Sequence, residues 1–198
     1  MDNSRRPAPH LATVGAMTWT PAHVLVVCVL GILAWAALGG APGSITALWL
    51  AVVSPSLVVI DVRLRRLPNM LVVPGLGAAL IDAGWYSAQS GRFPVAAVLA
   101  TSILVAAMLT LNLLGGLGMG DVKLTAVIAG CLSLDSPWTA VAAMLLAFML
   151  GGVYSAALLI RRRGDRARRI AFGPVLLLAF WAAIAALATQ DASVVSVS

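Results

Sequence analysis

The sequence predicts an all-α protein, a polytopic membrane helix bundle of about seven transmembrane or partial-span helices. Three observations carry that expectation. The 198 residues are 61% hydrophobic and only 10% charged, and the mean hydropathy of +1.00 lies far outside the range of soluble domains of average composition. The apolar residues come in separate runs, most of them long enough to cross the hydrocarbon of a bilayer. The basic residues gather in alternate gaps between those runs. Because lipid offers no hydrogen bonds, each span must satisfy its own backbone, and a helix does so.

Residues 1–20 are polar, contain several prolines and threonines together with Arg5 and Arg6, and read as a cytoplasmic N-terminal tail. The first apolar run, Ala22 to Leu38, follows arginines and precedes a small-residue GGA, as a signal peptide would. It is longer than the roughly 7–15 residues of a signal h-region, so it reads as an uncleaved anchor. Further runs extend from Ile45 to Ile60, Met70 to Tyr86, Val95 to Leu114, Val122 to Leu134, Trp138 to Ile160 and Pro174 to Thr189. The run after Asp121 is the shortest and is expected beside a thinned or water-accessible region, or as a partial span. Residues 21–190 thus form one transmembrane domain, and 191–198 a short external tail.

Charge tests this count. Of the 13 basic residues, Arg5, Arg6, Arg63, Arg65, Arg66, Lys123, Arg161, Arg162, Arg163, Arg166, Arg168 and Arg169 fall on one side of a seven-helix chain. Only Arg92 falls on the other. The positive-inside rule then puts the N-terminus in the cytoplasm and the C-terminus outside. The net charge of +6 reflects this topology rather than a nucleic-acid surface. Cys28 and Cys131 lie in apolar runs without a CxxC pair, and His10 and His23 are isolated, so neither a disulfide framework nor a metal site is expected. No cofactor is expected either.

All seven acidic residues are aspartates. Asp2 and Asp191 lie in the tails, Asp165 in the arginine-rich loop and Asp135 in an external turn, where water accounts for them. Asp82, in LIDAGWYSAQ beside Trp85 and Tyr86, reads as a solvated residue in an outer aromatic belt. Asp61 and Asp121 are different. Asp61 closes the second run in VVIDVRLRRLPN, Asp121 opens the fifth in GGLGMGDVKL, and the topology puts both at the cytoplasmic boundary.

Two carboxylates in a poorly hydrated site do not both ionise easily, and one proton is shared between them. The ionised partner can take a proton from water while the protonated one donates to a carbonyl oxygen and then to the leaving amine. Such a pair hydrolyses a peptide bond without a serine or cysteine nucleophile. The glycines ahead of Asp121, with Gly118 and Gly120 nearest, would let a substrate backbone approach and the loop adopt positive φ. Lys123 does not share the helical face of Asp121 and is expected to reach the headgroups. Pro68 stops propagation from the arginine-rich segment, and Asn69 is expected to N-cap the next helix. Arg63, Arg65 and Arg66 read as an inside anchor that also attracts acidic headgroups.

GMGD at 118–121 followed by VKL, with Asp61 and its RLRRLPN upstream, resembles the prepilin peptidase (type IV leader peptidase) family, intramembrane aspartic proteases of the GxGD group. The FGP at 172–174 resembles a further segment found near the end of that family. The resemblance implies that Asp61 and Asp121 are the catalytic pair and that Gly118 and Gly120 are motif glycines. It implies cleavage of the short basic leader from prepilin or pseudopilin-like precursors at the cytoplasmic face of a bacterial or archaeal cytoplasmic membrane. Larger family members carry a cytosolic domain with paired CxxC motifs that accompanies methylation. This sequence shows neither, so no methyltransferase activity is inferred, and the short form is similar to the peptidases of Flp or Tad-type pilus systems. The alternative from another class is a proton-coupled transporter using intramembrane aspartates, for which internal repeats and midplane acids would be expected.

Overall fold

The computed structural model describes residues 20–64, 67–115, 117–161 and 172–195. The expected N-terminal tail up to residue 19, Arg65, Arg66, Gly116, the loop from Arg162 to Ala171 and residues 196–198 lie outside the described residues. Seven helices follow in order: α1 Pro21–Leu38, α2 Ser44–Leu64, α3 Asn69–Ser90, α4 Val95–Leu113, α5 Met119–Asp135, α6 Pro137–Arg161 and α7 Gly173–Val195. Among the described residues there is no strand. Every apolar run of the sequence is a helix, and the chain is an all-α polytopic membrane bundle.

The helices reach beyond the apolar runs because local chemistry, not hydropathy, sets their ends. Pro21 opens α1 at a position where a missing N–H costs nothing. The helix closes on Gly39 at φ 53°, whose N–H returns to Trp35 O at 2.7 Å; glycine takes this left-handed turn without strain. α2 continues through Pro55 to Leu64. Proline inside a helix removes one backbone donor and crowds the preceding turn, and Ser54 beside it is held on both sides. Its hydroxyl donates to Leu50 O at 2.5 Å and accepts from Trp181 Nε1 at 3.1 Å. The interrupted helix is thereby braced against α7.

Six helices, all but α5, are long and apolar enough to cross a membrane. α5 has 17 residues, about 25 Å at 1.5 Å per residue, against a hydrocarbon core of about 30 Å. Its environment is protein. Val122, Leu124, Val127, Ile128, Cys131 and Leu132 are buried on it, and α5 packs against α2, α3, α4, α6 and α7. A helix enclosed in this way need not match the bilayer as its lipid-facing neighbours do.

Contacts between distant segments define the two ends of the bundle. At one end the start of α2 meets the end of α3, where Thr46 N–H and Oγ1 donate to Asp82 Oδ2 at 2.8 and 2.6 Å and Ile45 N–H donates to Oδ1 at 3.4 Å. The end of α5 joins them through Cys131 Sγ, which donates to Gly43 O at 3.3 Å. Asp82 is therefore not a solvated belt residue: it is fully buried and caps the N-terminus of α2 from a neighbouring helix. The first turn of a helix has backbone donors without intrahelical partners, and a carboxylate is their strongest acceptor. Replacing it (Asp82→Ala) leaves a buried N–H and hydroxyl unpaired and is expected to lower stability by about 2 kcal/mol, read as earlier thermal unfolding in detergent. An unchanged midpoint would show that the cap is dispensable.

Candidate active site

The opposite end of the bundle holds Asp61 and Asp121. Asp61 lies within α2, one turn before its end, and is 5% exposed; Asp121 lies in the first turn of α5 and is 8% exposed. The two carboxylates are close enough for their charges to act on one another. Segments sixty residues apart in sequence are thus brought together at one end, as the charge topology predicts.

Each carboxylate is held by a backbone N–H at the start of a helix. Asp121 Oδ2 accepts from Gly118 N–H at 3.2 Å, and Asp121 N–H donates back to Gly118 O at 3.1 Å. Gly118 is the N-cap residue of α5 and has no side chain to cap with. Asp121 takes over that role and caps its own helix. Asp61 Oδ2 accepts from Gly173 N–H at 3.0 Å, the first residue of α7. Both carboxyl groups therefore face the positive end of a helix dipole.

The contrast with Asp82 is informative. Asp82 uses both oxygens and takes three hydrogen bonds. Asp61 and Asp121 each take one, on Oδ2, and among the described residues neither Oδ1 accepts any. A saturated carboxylate is a structural cap, whereas one with an oxygen to spare can accept from water or, when protonated, donate to a substrate carbonyl.

The motif glycines work differently from expectation. Gly118 has φ −81° and Gly120 is helical, so neither needs a positive φ; in this stretch Gly115 does, at 81°. A β-carbon on Gly120 would stand 2.7 Å from Leu67 Cβ. The space is occupied by the loop that follows Asp61, not left open for substrate. Gly173, in the FGP segment, is constrained by the site itself: a β-carbon there would lie 2.7 Å from Asp61 Oδ2. Phe172 beside it is buried and stacks at 5.7 Å from Phe148 on α6, and Gly151 leaves room for its ring. That packing fixes the start of α7 over Asp61.

One further expectation is corrected. Asn69 is the first residue of α3 rather than its cap; Pro68 stands at the cap position, with no side-chain cap bond, and its carbonyl accepts from Leu71 N–H at 3.1 Å. Lys123, half-buried, donates from its exposed Nζ to Asn69 Oδ1 at 2.9 Å. Its face does differ from that of Asp121, as two-residue spacing requires. Arg63 is exposed near the end of α2.

Residues 44–156, more than half of the chain, match the type IV leader peptidase family. The chain belongs to that family. Two curated proteins from Aeromonas salmonicida, one of them from strain A449, are both called prepilin leader peptidase/N-methyltransferase. Each is 28% identical over 151 residues, which cover 72% of this chain and 49% of theirs. The chain thus spans about half the length of the curated relatives it matches. No solved structure matches it. The part that matches the type IV leader peptidase family contains both Asp61 and Asp121 but ends before Gly173. The backbone donor that holds Asp61 comes from beyond it.

Proposed function

We propose that this protein is a membrane-embedded aspartic endopeptidase that removes the basic leader from type IV prepilin or pseudopilin-like precursors, with Asp61 and Asp121 activating water. The observation that carries the reading is that two buried carboxylates from separate helices come together at one end of the bundle, each anchored through Oδ2 and, among the described residues, with no hydrogen bond to Oδ1. Membership of the type IV leader peptidase family supports the substrate class.

In the proposed reaction the ionised member of the pair removes a proton from water as the oxygen attacks the scissile carbonyl carbon. The protonated member donates to the carbonyl oxygen, giving a tetrahedral diol. As the diol collapses, the carboxylate left by the first donation takes back one hydroxyl proton while the other carboxyl gives its proton to the departing amine, and the C–N bond breaks. Gly118 N–H and Gly173 N–H keep Oδ2 of each carboxylate fixed, so the remaining oxygens face the reactants without reorganisation. No metal or cofactor takes part in this scheme.

Coexpression with candidate pilin precursors tests the activity: the precursor is expected to lose its leader, with the new N-terminus read by mass spectrometry. Leader retention across candidate precursors, together with proton flux when the purified protein is placed in liposomes, would favour the transporter reading instead. The narrower assignment to a Flp or Tad-type system is tested by which precursor is cut.

The proposed orientation sets the paired aspartates at the cytoplasmic face of an inner membrane, supported by the one-sided distribution of basic residues. Single cysteines introduced as Arg63→Cys and Arg92→Cys, in a Cys28→Ser background, are expected to react with impermeant thiol reagents from opposite sides. Access of both from one side would overturn the orientation.

A further inference from the structure

α3 and α5 run in the same direction and start at the same end of the bundle. Four contacts, rising together in residue number, define their register. Leu67 lies against Gly120, Asn69 bonds Lys123, the bare face of Gly75 admits Val127, whose Cγ1 would be 3.1 Å from an added β-carbon, and that of Gly130 admits Ala79 at 3.3 Å. Small residues let the two backbones approach closely, as at other helix contacts inside membranes. Three of these contacts are steric and non-directional. The Asn69–Lys123 hydrogen bond is the only directional one of the four, and it lies at the aspartate end.

Its chemistry is unusual for a lysine at a membrane boundary. An ammonium that swung to Asp121 would pair with the carboxylate and compete for its proton chemistry. A neutral carboxamide instead holds Nζ on another face of α5, two residues from Asp121. Lys123 as a whole is half-buried although the bond itself is exposed.

We propose that Lys123 and Asn69 are positioning residues, whose hydrogen bond clasps the start of α3 to the start of α5 and fixes the register in which Asp121 faces Asp61. The proposal rests on the peptidase reading for its kinetic consequence, but not for its structural one. Asp61 reaches α3 through the short segment that contains Leu67 and Pro68, while Asp121 lies one helical turn or less from Lys123. Sliding α5 against α3 by a fraction of a turn therefore changes the separation of the carboxylates directly.

The test uses the full chain in detergent or nanodiscs and a precursor peptide that the unaltered protein cleaves. Asn69→Leu and Lys123→Met are each expected to lower kcat about 10- to 100-fold, the size of effect that a small misplacement of reacting groups produces, with KM changed less than about twofold. The double variant should be no worse than the weaker single one, because one bond is lost in all three. Asn69→Asp, which keeps the acceptor, should recover most of kcat. Additive losses, a fall confined to Lys123→Met, or a rise in KM at unchanged kcat would each overturn the clasp and assign Lys123 to substrate or lipid.

A second readout does not depend on cleavage. Spin labels at Met70→Cys and Met119→Cys, both exposed at this end, in a Cys28→Ser background should report a narrow distance distribution that broadens in Asn69→Leu. An unchanged distribution would overturn the clasp even if the protein is a peptidase. Broadening in a protein that cleaves no precursor would uphold the clasp and reject the peptidase reading.

Discussion

Asp61→Asn and Asp121→Asn are each expected to abolish leader removal, by a factor of about 10³ or more, while leaving insertion and folding intact. Asparagine matches aspartate in shape, and its Oδ1 can still accept the Gly173 or Gly118 N–H. What it cannot do is exchange a proton with water or with the departing amine, and losing either proton transfer removes a general acid or base worth about 10²–10⁴-fold. The two losses should not add. Once one partner of a shared-proton pair is gone, the other has no counterpart to complete the cycle, so Asp61→Asn combined with Asp121→Asn should be about as inactive as either alone. Cleavage is followed by loss of precursor mass in purified protein, and folding by thermal unfolding of the same samples. Full activity in either variant would dismiss the two-aspartate mechanism.

The other large effect is expected at a residue with no functional group. In Gly173→Ala the new methyl group would sit 2.7 Å from Asp61 Oδ2 and 3.2 Å from its carboxyl carbon, well inside contact distance. Either the carboxyl group rotates away from its backbone donor or the start of α7 lifts, and Phe172, packed on Phe148, resists the second. Asp61 therefore moves, and a displacement of an ångström in a reacting group costs on the order of 10²-fold. Losing one hydrogen bond to a buried carboxyl costs about 1–3 kcal/mol of stability, so the protein should stay folded while kcat falls. Loss of kcat in folded protein separates displacement of the aspartate from general damage. Gly152→Ala serves as the control: nothing lies within 4 Å of the position its β-carbon would take, and activity should be retained. Comparable activity in Gly173→Ala and Gly152→Ala would mean that the Gly173 contact does not position Asp61.

The helices were legible because hydropathy over a run reports on lipid, and a chain in lipid has few alternatives to helix. Their ends were less so, since Pro68, Gly118 and Gly173 act through local hydrogen bonds that hydropathy does not register. That Asp61 and Asp121 share one end of the bundle could be read from charge, because the distribution of arginines says which ends of which helices share a side; that they meet there could not, and rested on the two motifs. Asp82 misled for a related reason. Beside Trp85 and Tyr86 it has the surroundings of an interfacial residue, and only the fold shows that Thr46 comes to meet it. Gly173 and the Asn69–Lys123 bond connect residues far apart in sequence. Nothing in either neighbourhood announces the partner, although the FGP segment and the VKL after Asp121 did mark the positions.

That both carboxylates are supported by main-chain donors has a consequence for how the site responds to mutation. A backbone N–H survives every substitution except proline, so no change of side-chain polarity at 118 or 173 can remove it. Tolerance at these positions should be ranked by volume alone, with serine at 173 no better than alanine. At 118 the ranking should be shallower, because an added β-carbon would stand 3.4 Å from Asp121 Oδ2, an ordinary contact. At 61 and 121 the order inverts, and chemistry outweighs size. A saturation scan across the four positions would thus separate residues that react from residues whose task is to take up no room.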